Sequence, residues 1–211
     1  MSVVSAHGDP PPADAIDSAV QALVTGQVVV IPTDTVYGLA VEASQPGAIE
    51  RIFAMKQRPT HLALPVLVAS IEQALGLAAE GLAPVARRLM ERFWPGGLTL
   101  VVSRRRGFDQ DVDLVDARTD GATVGLRLPA HPVPVALAAR VGPLATTSAN
   151  LHGLATPPSA QGVVEQLGGR PQLVLDAGAC GGWPSTVVSC LDGEVRVLRE
   201  GVIPAAEVLA Q

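Results

Sequence analysis

The residues able to do chemistry gather where apolar runs stop. Thr33, Asp34, Thr35 and Tyr37 follow one such run in "VVVIPTDTVYG". "TTSAN" (Thr146 to Asn150) follows "PLA", and "WPST" brings Ser185 and Thr186 to the start of another run. Ligands of open α/β sheets lie in crevices at strand ends, so three hydroxyl-bearing loops can converge on one pocket. Taken singly, each loop has a plainer reading. Ser, Thr, Asn and Asp are ordinary turn residues that bond their own backbone. It is their joint placement after apolar runs that argues for a site.

The cations narrow the chemistry. Fourteen of the fifteen are arginine, and the single lysine, Lys56, lies within twenty residues of the single tyrosine, Tyr37. Lys56 and Arg58 fall in the last turn of a predicted helix, where positive charge gains roughly 0.3–1 kcal/mol from the helix dipole. That explains Arg58 on its own. A lysine kept in a chain that otherwise uses arginine suggests a need for a compact ammonium, as phosphates often require. Arg127 interrupts the apolar "VGLRLP". A guanidinium there needs an anion, either a ligand carboxylate or phosphate or an internal Asp or Glu. Arg199 closes "VLREG", while Arg104 to Arg106 read as solvated surface. Tyr37 offers a flat ring with a polar tip, fit to wall a small polar substrate or to cap the core edge.

Several function classes are excluded or disfavoured. There is no Walker-type phosphate loop, no G-x-G-x-x-G after a strand, no H-E-x-x-H and no G-x-S-x-G elbow. Four scattered histidines and two cysteines (Cys180, Cys190) make neither a metal site nor a disulfide framework. A net charge of −5 argues against a protein built mainly to hold a nucleic-acid backbone. No apolar run approaches the roughly 20 residues of a membrane span, and the start of the chain lacks a secretory signal, so the expected location is cytoplasmic. What remains is a cationic, hydroxyl-lined pocket without an evident general base, nucleophile or metal cage. Such a site suits phosphoryl or nucleotidyl transfer, where positioning and charge neutralisation supply most of the rate.

The elements that must carry these residues are legible in outline. The chain has 211 residues, nearly half apolar and 17% charged, which suits one domain with a substantial core. Residues 1–12 read as a flexible arm ending in prolines, and 13–211 as a single catalytic domain. Helices are expected over 13–25, from 46 to 59, and over 71–79, 83–93, 133–141 and 159–167, with another from 204. Short apolar runs predict strands over 27–31, 39–42, 64–68, 98–103, 123–128, 173–177, 186–191 and 195–199. The last two read as a hairpin around Asp192 and Gly193. Residues 104–121 read as a polar loop. Interleaved strands and helices give an α/β mixed sheet with helices on its faces.

The strings "IPTDTVYGLA", "RIFAMKQRP", "LPVLV", "GGLTLVV", "VGLRLPAHP", "TTSANLHG" and "STVV…VLREG" occur in an order that resembles the YrdC-type threonylcarbamoyl-AMP synthases. The resemblance covers nearly the whole chain. It implies a twisted, mixed open sheet around a cationic central cavity. It also implies an enzyme that forms L-threonylcarbamoyladenylate and pyrophosphate from L-threonine, bicarbonate and ATP with Mg²⁺. A downstream threonylcarbamoyl-transferase complex would then use the adenylate to modify tRNA, and direct tRNA contact is a further implication.

Carried over by position, the resemblance assigns Thr35, Tyr37, Arg127 and Ser185 to threonine. It gives Lys56, Arg58 and Arg199 to the ATP phosphates, and Thr123, Ser148, Asn150 and Thr156 to the nucleotide. Lys56 and Arg58 would be the catalytic cations. The sequence departs from the family pattern at Leu62 and Ala63, where a polar residue and a proline usually stand, and at Thr147, which replaces a proline. The rival readings are another carbamoyl- or nucleotidyl-transfer enzyme using the same pocket, and a structured-RNA-binding module.

Overall fold

The computed structural model describes residues 1–56, 64–105 and 123–210. Apolar runs form the strands and the segments between them form helices, as their periodicity requires. The strands are β1 (Ser2–Ser5), β2 (Val29–Ile31), β3 (Gly38–Glu42), β4 (Val66–Leu67), β5 (Leu98–Ser103), β6 (Thr123–Arg127), β7 (Leu144–Ser148), β8 (Leu173–Asp176), β9 (Thr186–Ser189) and β10 (Arg196–Arg199). The helices are α1 (Ala13–Val24), α2 (Ala48–Lys56), α3 (Ile71–Leu77), α4 (Pro84–Phe93), α5 (Pro132–Val141), α6 (Ala160–Gln166) and α7 (Ala205–Leu209).

All ten strands join one sheet in the order β1-β8-β2-β3-β7-β4-β6-β5-β9-β10. The pairing is mixed. β8 runs parallel to both β1 and β2, whereas β3 is antiparallel to both β2 and β7. Alternation along each strand sends side chains to opposite faces. Val30, Leu39, Val41, Val66, Ala145 and Val174 join a core with α2, α3, α4 and α6. Val29, Ile31, Ala40, Leu67, Leu144, Leu173 and Leu175 join a second core with α1 and α5. The result is three layers, helices on both faces of a mixed sheet. No helix of the described residues is long and apolar enough to cross a membrane.

Two expectations are corrected. Residues 2–5, expected within a flexible arm, form edge strand β1, registered from Ser2 opposite Leu173 to Ser5 opposite Asp176, and Ala6 is buried behind it. "TTSAN", expected as a loop, supplies the end of β7, where Thr147 pairs with Leu39 and Ser148 with Gly38. Thr is β-branched and fits a pleated strand, which here outweighs its turn preference. The β9–β10 hairpin is present, joined through a 3-10 turn at Leu191–Gly193. The expected end of the α2 helix at Pro59, and most of the 104–121 loop, lie outside the described residues.

Candidate functional site

The crossing of β3, β7, β4 and β6 at the centre of the sheet opens a cavity of about 190 Å³. Its walls carry Thr33, Thr35, Thr99, Thr146, Thr147, Ser148 and Ser185, together with the guanidiniums of Arg127 and Arg199. Gly38, Pro65 and Leu67 supply backbone and apolar floor. Three loops expected to converge do so, because β2, β7 and β9 all deliver their ends to this place.

The "PTDT" loop after β2 is shaped by Thr33. Its hydroxyl donates to the Val36 carbonyl at 2.7 Å and accepts the backbone N–H groups of Thr35 and Val36 at 3.1 and 3.2 Å. With that proton committed, the 3.0 Å contact to Thr35 Oγ1 is a donation from Thr35. Thr35 Oγ1 in turn accepts from Arg127 Nη1 at 2.8 Å. Arg127 sits at the end of β6 and is only 5% exposed. Its Nε donates to the Gly96 carbonyl at 2.9 Å, and its Nη2 pairs with Asp34 Oδ1 at 2.7 Å. Of the two anions foreseen for Arg127, the internal one is present as Asp34, and the guanidinium also lines the open cavity. Burial pushes its pKa below the ordinary arginine value and the Asp34 charge opposes this. The guanidinium stays charged, as arginine does in proteins.

Across the cavity, Ser185 Oγ stands 2.9 Å from Thr99 Oγ1 and accepts from Arg199 Nη2 at 3.2 Å. Arg199 also donates twice to the Ser185 carbonyl, at 2.8 and 3.3 Å. Loss of solvent and the like charge of Arg127 lower its pKa. The chain after β10 folds over the same segment, with the Gly201 and Ile203 N–H groups donating to Thr186 Oγ1 at 2.9 and 3.0 Å.

Thr35, Arg127, Ser148, Ser185 and Arg199 thus share one cavity. The other expected site residues stand elsewhere. Tyr37 is fully buried, and its hydroxyl donates to the Gly178 carbonyl at 2.7 Å, with Asp176 Oδ1 at 3.2 Å. It is therefore a core ring that braces the 177–183 loop and is not among the residues lining the cavity. Burial, then the neighbouring Asp176 charge, raise its pKa well above the usual tyrosine range.

Lys56 is 2% exposed, and its ammonium donates to the carbonyls of Ser148 and Asn150 and to Asn150 Oδ1. Expected at the ATP phosphates, it lies beneath the Ser148–Asn150 loop and is not among the residues lining the cavity. Asn150 spends its amide N–H groups on the Leu151 and Leu154 carbonyls, and Thr156 donates to its Oδ1 at 3.3 Å. Thr123 opens β6 opposite Ser103 and is buried away from the cavity lining. Arg58, Leu62 and Ala63 lie outside the described residues.

Sequence reasoning missed Thr99. It is a single hydroxyl in the apolar run "LTLVV", on the same strand face as Val101. A lone Thr among strand apolars is the signal that was there to find. It also placed Asp34 among the strand-end residues without naming it as the counter-ion of Arg127, although an Asp beside a threonine-rich strand end is a natural one.

Fold and site together define a class: an α/β protein with a small, hydroxyl-lined cavity carrying two guanidiniums at the middle of a mixed sheet. The chain belongs to the Sua5/YciO/YrdC family, whose protein-family model, described as telomere recombination, matches residues 21–201. A Mycobacterium tuberculosis protein with a provisional threonylcarbamoyl-AMP synthase name is 40% identical over 198 residues, 92% of this chain and 88% of the relative. The Bacillus subtilis threonylcarbamoyl-AMP synthase is 38% identical over 92% of this chain and 56% of its own length.

Among solved structures, Pyrococcus abyssi Sua5 complexed with L-threonine superposes with a TM-score of 0.89 at 33% identity, covering all of this chain and 61% of that one. Escherichia coli YciO superposes with a TM-score of 0.88 at 26% identity, over 99% of this chain and the whole of that one. The chain therefore spans about six tenths of the longer relatives and nearly all of the shorter ones.

Proposed function

We propose that this protein is an L-threonylcarbamoyladenylate synthase, forming threonylcarbamoyl-AMP and pyrophosphate from L-threonine, bicarbonate and ATP. One observation supports this reading above others. Arg127, fixed by Gly96, Thr35 and Asp34, lines a cavity rich in hydroxyls and of amino-acid size. At about 190 Å³ the space is smaller than the roughly 300–1,000 Å³ of drug-sized sites. It suits one small polar molecule, with the nucleotide lying toward Arg199 and Ser148. The threonine bound in the Pyrococcus abyssi Sua5 structure is the relative's counterpart.

In this reading the threonine carboxylate lies on the Arg127 N–H groups that face the cavity, a charge-assisted contact. Thr35 and Ser185 receive its polar groups. The amine combines with bicarbonate to give a carbamate and water. A carbamate oxygen then attacks the α-phosphorus and pyrophosphate leaves. Charge grows on that leaving group, so Arg199 and Arg58 are assigned to it. Lys56 contributes positive field from beneath the Ser148–Asn150 loop. Ser148 faces the nucleotide, and Thr123, Asn150 and Thr156 organise its surroundings.

Mg²⁺ would be carried by the ATP phosphates as part of the substrate. The hydroxyls and guanidiniums of the cavity would receive its phosphate groups and the threonine carboxylate. The adenylate would pass to a separate threonylcarbamoyl-transferase that modifies tRNA, and the cytoplasm is the location that goes with this reading.

The test is pyrophosphate release by purified protein with ATP and Mg²⁺, omitting L-threonine and bicarbonate in turn. Release that needs both, with a threonylcarbamoyl-AMP product by mass spectrometry, is expected. Release that ignores either component would overturn the reading.

A further inference from the structure

Arg127 does not stand in the cavity as an isolated cation. Asp34 is one hydrogen bond behind it, at 2.7 Å, and the two side chains are 18% and 6% exposed. The residues flanking Asp34, Thr33 and Thr35, both line the cavity. Among the described residues, Asp34 pairs with no other cation, and no described residue donates to its Oδ2. A guanidinium with a carboxylate locked to it is close to neutral as a unit. For a simple carboxylate, such a unit is a weaker receptor than a lone guanidinium, since the Asp34 charge offsets part of the Arg127 attraction. For a zwitterion it is a complement: the ligand's carboxylate meets the guanidinium while its ammonium profits from the carboxylate behind.

We propose that Asp34 is a specificity-determining residue, which makes the cavity select a zwitterionic amino acid over the matching simple carboxylate. The inference rests on the reading that Arg127 receives the threonine carboxylate. Asp34 acts through Arg127, fixing its planar fork together with Thr35 and Gly96 and offsetting part of its charge. Opposite charges within about 4–6 Å influence one another strongly where water is excluded. The pair therefore serves selection as well as the burial of Arg127.

The probe is (R)-3-hydroxybutyrate, which is L-threonine without its amino group, compared with L-threonine by calorimetry. Wild-type protein is expected to favour L-threonine by at least about tenfold, and Asp34→Asn to reduce that preference by about tenfold, the size of one charge interaction at intermediate dielectric. The sign is specific: 3-hydroxybutyrate should bind D34N more tightly than wild type, because Arg127 is no longer neutralised. Asp34→Glu, which keeps the charge, should restore most of the preference.

A purely structural Asp34 would lower the melting temperature of D34N without moving the ratio, and that result would overturn the proposal. A wild-type ratio near one would overturn it without any variant, should D34N fail to fold. If wild type binds no L-threonine at all, the functional reading falls and this inference with it. If it binds L-threonine and the ratio is the same in folded D34N, only the inference falls.

Discussion

Lys56, the single lysine, holds the loop that leaves β7 beside the cavity. Its ammonium donates to the Ser148 carbonyl, the Asn150 carbonyl and Asn150 Oδ1. Those acceptors belong to the loop that leaves β7 at the cavity. An arginine would bring a planar fork where the loop presents a compact cluster of oxygens, so the single lysine has a physical reason. Replacing it by methionine keeps the stem but strands these acceptors. Lys56→Met is therefore expected to lower folding stability by on the order of 2–3 kcal/mol, the range for buried acceptors that lose a charged donor. Urea melts would measure it. A variant as stable as wild type would show that the ammonium does not hold this loop. Pyrophosphate release in the folded fraction should fall as well, since Ser148 loses its support. The type and rarity of Lys56 and Tyr37 were legible in the sequence, but the direction of each side chain was not. That direction is set by partners more than ninety residues away for Lys56, and about 140 away for Tyr37.

At the scale of elements, the return of the chain after β10 decides the geometry of Ser185. Gly201 lies where a Cβ would stand 2.3 Å from the Pro184 carbonyl oxygen and 2.6 Å from that of Ser185. Both obstacles are backbone, so neither can swing aside. Gly201→Ala must therefore push the 200–203 segment off Thr186, whose hydroxyl accepts from Gly201 and Ile203 and donates to the Ile203 carbonyl. Arg199 is two residues away and moves with it, loosening its hold on the Ser185 carbonyl. The expected cost is about 1–3 kcal/mol of stability, as for other overpacked sites, with a larger fractional loss of threonine-dependent pyrophosphate release. A G201A protein with unchanged kinetics would show that the Arg199–Ser185 contact is dispensable. The glycine in "VLREG" was visible in the sequence, and its reason was not. Close approach of two backbones separated by fifteen residues leaves no local mark beyond the residue type itself. The strands were legible for the opposite reason. Runs such as "VVVI" and "LTLVVS" are bounded by proline, glycine or charge, and their burial on both faces follows from composition alone. β1 escaped because "SVVS" is short and stands before a proline cluster, and β7 because its threonines read as turn residues.

At the scale of the whole molecule, burial shifts the titration of groups in the core. Cys190 follows β9 and is 4% exposed within the core that α2, α3, α4 and α6 share with the sheet. Burial pushes its thiol from an ordinary 9.0 up to about 11. The folded protein therefore keeps this proton over a range in which the unfolded chain releases it. Between about pH 9 and 11 the native state binds more protons than the unfolded state, so stability falls as pH rises, by at most about 1.4 kcal/mol per unit. Tyr37, also raised by burial, adds a loss of the same sign only above its ordinary value near 10. The window from pH 9 to 10 thus belongs to thiols: burial raises Cys180 as well, and the difference between wild type and a Cys190 variant isolates Cys190. Cys190→Ala should be less stable than wild type at pH 7, where it has lost only packing, and the gap should narrow as pH approaches 10. Urea melts at half-unit steps would measure the two slopes. Parallel lines across the window would mean that water reaches Cys190 in the native state, and that this region of the core is looser than its packing against β5 and α4 requires.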